Sequence, residues 1–262
     1  IPTNASLEAK MIRYFEYILP KYPSTYFRLA FSIDGVGDEH DTNRSMKGSF
    51  NKIEKCFDSM KLLRKKYNNL VLDSNTVFTA NTQGRIVKIL DYLNKNFDFD
   101  NHTVTYARGE IKDPNLKTEA ENEYREMNRY LSDLERKKEK RFLYPFYRGV
   151  RDTAWKNLMK TVFEDKFVTP CVGGKKLIVI SETGIARPCE ILGEEKNIGN
   201  LKDYDYDLQK LMKSENQKNV HNWIKKTKCK CSFECALAAN ATWSPSQWPS
   251  VAVDAYKNIG KR

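Results

Sequence analysis

The chain has 262 residues, 40% hydrophobic, 12% aromatic and 30% charged, with a net charge of +11. This fits one large domain or two smaller ones, with enough apolar material for a core under a strongly solvated surface. No apolar run reaches the roughly 18 residues of a membrane-spanning helix, and no secretory leader pattern opens the chain, so the expectation is a cytoplasmic protein whose six cysteines are thiols or thiolates and not disulfides.

The opening Ile1-Pro2-Thr3-Asn4 reads as the end of a strand and runs at once into a helical pattern; the expectation is a piece of a longer protein. Ser6 to Leu19 places Leu7, Met11, Phe15 and Ile18 on one helix face, with Ser6 as N-cap. Residues 27–33 alternate as a strand, with Phe27, Leu29, Phe31 and Ile33 on one side and Ser32 on the other, the side that Asp34 continues. The next loop runs from Gly35 to Arg44 and is polar and glycine-containing. Two readings of it stay open: a functional strand-end loop, or a solvated turn with Asp41 and Arg44 as a local ion pair.

A helix over Ser49–Tyr67 follows. Cys56 lies beside its stripe of Ile53, Phe57, Met60 and Leu63 and reads as core. Leu70–Thr79 and Thr103–Arg108 read as strands, and Gly84–Asn96 between them as a helix. Strands separated by helices argue for βαβ units and a parallel sheet or barrel. Asn75, Thr79, Tyr106 and Arg108 stand at or near strand ends, where parallel barrels carry their sites, and Arg108-Gly109-Glu110 suits an anionic ligand or a surface turn. Lys117–Lys140 is a long charged helix, and 142–167 a more aromatic second one.

Pro170 breaks the chain and Cys171 opens the last region. Lys176–Ser181 and Ile185–Cys189 read as two strands around Glu182-Thr183-Gly184, which returns Cys189 toward Cys171. Leu208–Lys228 reads as mostly helical and delivers Cys229, Cys231 and Cys235, spaced C-x-C-x3-C. Thiols from separated segments that meet at one place are the arrangement of a four-coordinate metal or an iron–sulfur centre. Spacing alone leaves structural zinc and an iron–sulfur cluster both open. The scattered lysines form no single stripe with interleaved aromatics, so nucleic acid is not an expected partner. Lys225, Lys226, Lys228 and Lys230 instead crowd the late cysteines, where thiolates carry negative charge.

Phe31-Ser32-Ile33-Asp34-Gly35-Val36-Gly37, with His40-Asp41, Arg44 and Lys47-Gly48-Ser49-Phe50, resembles the fourth-strand region of radical SAM enzymes, and Ile1 to Asn4 resembles their preceding strand end. Cys171-x12-Gly184-x4-Cys189, then Pro188-Cys189-Glu190 and Ile198-Gly199-Asn200-Leu201, resembles the opening of a SPASM/twitch auxiliary-cluster domain. The likeness covers nearly the whole chain. It implies an α/β fold with a partial (β/α)6 TIM-like barrel over 1–115, a helical bridge over 116–168, a small α+β auxiliary-cluster domain over 169–245 and a tail over 246–262.

It also implies a radical SAM enzyme that uses a 5′-deoxyadenosyl radical for hydrogen abstraction, with peptides or proteins as the leading substrate class and a flavodoxin or ferredoxin as electron donor. Asn4, Ser32, Asp34 and Arg108 are the implied S-adenosylmethionine-binding residues. The implied [4Fe–4S] ligands are Cys171, Cys189 and Cys235, completed by Cys231 or Cys229. The family's C-x3-C-x2-C motif is absent, so the second [4Fe–4S] cluster, which cleaves S-adenosylmethionine, would take its ligands from outside this chain. The alternative is a zinc-stabilised binding module with a degenerate barrel.

Overall fold

Short apolar strands alternating with amphipathic helices build a four-stranded, all-parallel sheet. The structure is a computed structural model and describes residues 1–108, 111, 113–138 and 142–259. The first elements are β1 (Pro2–Thr3), α1 (Glu8–Lys21), β2 (Phe27–Ser32), α2 (Asp38–Asn43), α3 (Ser49–Lys66), β3 (Leu70–Phe78), α4 (Ile86–Asn96), β4 (Asn101–Tyr106) and α5 (Glu121–Lys138). Each strand pairs with the next in sequence, from Thr3↔Phe31 through Ser32↔Asn75 to Phe78↔Tyr106. A sheet wound in one direction, without a switch point, is the pattern of a barrel segment and not of a doubly wound sheet.

The alternating residues of β2 face inward as expected: Leu29, Phe31 and Ile33 are fully buried. They meet Phe15 and Leu19 of α1, Ile53, Phe57 and Met60 of α3, and Ile89 and Leu93 of α4. Cys56 belongs to this core, where burial pushes its thiol up to about 12. The expected Ser6 cap is corrected. Leu7 holds the N-cap of α1 with no side-chain bond, because both the amide and the hydroxyl of Ser6 donate to Asn4 Oδ1.

The chain divides into two compact units: residues 1–107 with 111–135, and 108–110 with 136–262. Residues of the expected helical bridge, 116–168, fall in both units. The α5 segment up to Glu135 belongs with the sheet, since buried Tyr124 packs on Phe78 and Tyr106 at centroid distances of 5.2 and 5.4 Å. Glu139 and Lys140, at the end of the expected long helix, lie outside the described residues.

The second unit contains α6 (Tyr144–Phe163), β5 (Val179–Ile180), β6 (Ile185–Arg187), β7 (Gly199–Asn200), α7 (Leu208–Met212), α8 (Glu215–Lys226), α9 (Glu234–Trp243) and α10 (Trp248–Asn258). Strands β5-β6-β7 form a small antiparallel sheet, shorter than the two strands read from sequence. Gly184 turns its hairpin at φ +92°, and a Cβ there would lie 2.7 Å from Asn200 Oδ1. The stretch 208–228 is mostly helical as read, in two helices: α7, capped by Asp207, ends at Met212, and the Ser214 hydroxyl accepts from the Gln217 amide to start α8. Residues 248–258 of the expected tail form α10. α10 packs along α6, where buried Asp254 accepts from the Thr153 hydroxyl at 3.0 Å and pairs with Lys156.

Candidate functional site

In the first unit, Asn4 and Ser32 both line a cleft of about 550 Å³, together with Lys10, Met11 and Tyr14. Asn4 follows β1 and Ser32 ends β2, so the parallel register brings two neutral polar side chains to neighbouring strand ends. Asp34 is placed differently. Its Oδ1 accepts from the Val77 amide at 2.9 Å and its Oδ2 pairs with Arg44 at 2.7 Å. Both carboxylate oxygens are occupied in tying the end of β2 to β3 and to the loop. Asn75 is likewise engaged, accepting from Thr105 Oγ1 at 3.0 Å.

The Asp41–Arg44 ion pair expected in the loop gives way to a different arrangement. Arg44 reaches Asp34, while Asp41 accepts from the Phe50 amide and the Ser49 hydroxyl, both at 2.9 Å, and from the Gly48 amide. These bonds, the Phe50 amide foremost, hold the Asp41 carboxyl below its ordinary value. A good part of the loop's chemistry thus goes into fixing the start of α3.

His40 is 2% exposed and its Nδ1 accepts the Asp34 amide at 3.1 Å. That bond requires an unprotonated Nδ1. Burial, then Arg44, lowers the His40 pKa, against the opposing pull of Asp34 and Asp41; the Phe50 ring lies 5.8 Å away. Unfolded chains therefore take up this proton first as pH falls below the ordinary 6.5, so the stability His40 contributes is complete above that pH and is lost as pH drops toward its folded value. We expect the melting temperature to fall between about pH 6.5 and 5, and His40→Asn, which keeps an acceptor but cannot titrate, to flatten that slope. Parallel melting curves of the two proteins across this range test it; identical slopes would refute the assignment.

In the second unit, Cys171, Cys189 and Cys231 share one apolar cluster with Phe233, Ala236, Leu177, Ile191 and Leu192. They arrive from the segment after Pro170, the end of the β6 hairpin and the segment before α9. The Cys171 segment is fixed to α9 by the Val172 amide, which donates to Asn240 Oδ1 at 2.8 Å. Backbone amides point at the sulfurs: Gly173 to Cys171 Sγ at 3.4 Å and Leu192 to Cys189 Sγ at 3.5 Å. A Cβ at Gly173 would lie 3.1 Å from Pro188 O and 3.3 Å from Cys171 Sγ, so glycine permits this approach.

Burial raises the thiols of Cys171, Cys229 and Cys231, the last two to about 11 and about 12, and each is raised further by its cysteine neighbours. Protonated sulfurs in an apolar pocket become thiolates when a cationic core compensates them, and amide N–H groups aimed at sulfur suit such ligands. The donor set therefore fits a sulfur-ligated metal group. Among the described residues no three His, Cys, Asp or Glu side chains are drawn around a single metal-ion position.

Arg108 is grouped with the cysteine unit and not with Asn4, Ser32 and Asp34. Its guanidinium pairs with Glu190 at 2.9 Å and Glu234 at 2.6 Å and lies 4.7 Å above the Phe233 ring. The anionic partner expected for Arg108 is thus supplied by the protein, from the residue after Cys189 and the residue before Cys235. Gly109 and Glu110 of that triplet lie outside the described residues. Sequence reasoning missed this brace, although a glutamate beside each of two cysteines was a visible hint.

No model of a known protein family matches the sequence, and no curated protein does. Solved structures do resemble it. Native anSMEcpe with bound AdoMet superposes with a TM-score of 0.52 at 17% identity, covering 98% of this chain and 72% of that one. The same enzyme with AdoMet and the Cp18Cys peptide gives 0.53 at 16% identity, covering 98% and 73%, and its hexahistidine-tagged form gives 0.51 at 17%, covering 98% and 70%. At such identities the likeness shows the fold alone: a mixed α/β protein with a parallel sheet.

Proposed function

We propose that this chain is part of a radical SAM enzyme acting on a peptide or protein, with a [4Fe–4S] cluster on the cysteines of its second unit. The observation that carries the reading is the meeting of thiols from three separate segments in one apolar pocket, with amides aimed at their sulfurs. The fold supports it, since structural neighbours hold AdoMet, one of them together with a peptide.

When bound with its own cluster, S-adenosylmethionine supplies the radical that abstracts hydrogen. Asn4 and Ser32 offer neutral hydrogen-bonding groups to that cofactor from the lining of the cleft. Asp34 acts at one remove, holding the β2 and β3 ends that set the position of Ser32. Arg108 joins the residues flanking Cys189 and Cys235 and keeps the two cysteine segments in register. The 262 residues contain no C-x3-C-x2-C, so the cleaving cluster takes its ligands from elsewhere, and electrons reach the enzyme from a flavodoxin- or ferredoxin-like donor.

Anaerobic reconstitution with iron and sulfide tests this. The chain should take up about four irons and as many sulfides, as a cubane held by four thiolates requires, show broad sulfur-to-iron absorption, and leave S-adenosylmethionine uncleaved. Stoichiometric zinc without sulfide, in a colourless protein, would replace the reading with a zinc-stabilised binding module.

A further inference from the structure

We infer that the ligands of this centre are Cys171, Cys189, Cys229 and Cys231, and that Cys235 stands outside the set. The inference rests on the cluster reading above and departs from the ligand set that the Cys231-x3-Cys235 spacing implies by resemblance.

The geometry of α9 carries the first half of the argument. An α-helix turns about 100° per residue, and α9 buries Ala236, Leu237, Asn240 and Ala241. Asn240 on that face grips the Cys171 segment, so the buried face is the one turned to the thiol pocket. Cys235 lies about 100° to one side of Ala236 and is exposed. Glu234, the residue before it, and Glu190 are held by Arg108 at 2.6 and 2.9 Å, so the helix start that carries Cys235 is tied into a polar brace and not into the apolar cluster of Cys171, Cys189 and Cys231.

Cys229 is placed the opposite way. Helix α8 ends on Thr227, and Lys228 takes the left-handed conformation at φ +50°. The Cys229 amide then donates back to Ile224 O at 3.1 Å, a helix-terminating turn that sends the chain off in a new direction. Cys229 is half-buried after this turn, and its thiol neighbours are Cys171 and Cys189. Cys231, two residues on, packs in the same apolar cluster as those two cysteines. A non-glycine residue held at positive φ is strained, so surrounding contacts keep this turn in place. Four sulfurs satisfy a cluster of this kind, and the fifth is left as a free surface thiol.

The test combines single Cys→Ser variants of the full chain with thiol mapping of the reconstituted wild type. Cys235→Ser should keep its full iron and sulfide content and an unchanged electron paramagnetic resonance spectrum after reduction. Cys171→Ser, Cys189→Ser, Cys229→Ser and Cys231→Ser should each lose most of the iron and sulfide. Because a serine variant can lose metal by misfolding, iodoacetamide labelling of the loaded wild type is read alongside: Cys235 should be modified and the other four protected. Loss of the cluster in Cys235→Ser with retention in Cys229→Ser, or labelling of Cys229 with protection of Cys235, would overturn the ligand set while leaving the cluster reading intact. Zinc bound by the same four protected thiols would overturn the cluster reading and leave the ligand set standing. A chain that takes up no metal would overturn both.

Discussion

Removing the metal from the loaded chain should release residues 171–192 and 227–233 to rapid hydrogen exchange, by about 100-fold or more, while the α6–α10 pair stays protected. The reason is how little apolar material this region buries. One cluster has Ala186, Ile198 and Leu211 at its centre, the other Cys189, Phe233 and Ala236. A fully buried large side chain contributes about 1.5–3 kcal/mol, whereas each residue ordered costs about 1–2 kcal/mol in backbone entropy. Strands of two or three residues add few ladder hydrogen bonds. On the proposed reading, metal–sulfur bonds would be the cross-links that make up the difference, as in other small metal-held folds.

The raised thiols add a sign. Burial and mutual repulsion keep Cys229 and Cys231 protonated at neutral pH, so loading must displace protons and should strengthen as pH rises. Exchange mass spectrometry before and after chelation reads the first effect, and metal uptake between about pH 6.5 and 8.5 reads the second. Equal protection in the loaded and stripped chains would mean that the metal does not hold this region together.

The first unit was legible because its strands bury one face in strict alternation. Leu29, Phe31 and Ile33 needed only their period-two spacing to be placed, and the helices between them were placed within a few residues of their ends. Polar burial defeated the same method elsewhere. Helix α10 is anchored through Asp254, Asn258 and Val251, a pattern that hydrophobic periodicity registers as surface. Ser214, the N-cap of α8, interrupts a stretch that apolar positions alone show only as mostly helical.

The cysteine grouping could be read from spacing because ligand chemistry leaves few other uses for five thiols close in sequence. Which thiols face one another depends on the direction of one turn at Lys228 and on the phase of α9, and neither is written in the spacing. Arg108 was missed for another reason: its two carboxylate partners lie 82 and 126 positions away, and the glutamates beside Cys189 and Cys235, though visible, carry no mark of which cation they meet.

Phe99→Ala should be among the most damaging single substitutions in the first unit, costing about 3–5 kcal/mol. Phe99 is 1% exposed. Its ring lies 4.6 Å from Phe57 on α3, 5.7 Å from Phe31 on β2, 5.3 Å from Phe97 and 5.8 Å from His102 on β4, centroid to centroid. Partners held in tilted, edge and stacked contact do not swing freely into the vacated space, and close-packed interiors relax only partly around such a hole. For a unit of this size the loss corresponds to a melting temperature lower by roughly 10–20 °C. Phe99→Leu, which refills most of the volume, should cost less than half as much. The consequence reaches the cleft, because Phe31 immediately precedes Ser32 and braces the strand end that presents it. Denaturant titrations of the wild type and both variants measure the costs; a Phe99→Ala cost under about 1 kcal/mol would mean that this aromatic group is not what holds the end of β2 in place.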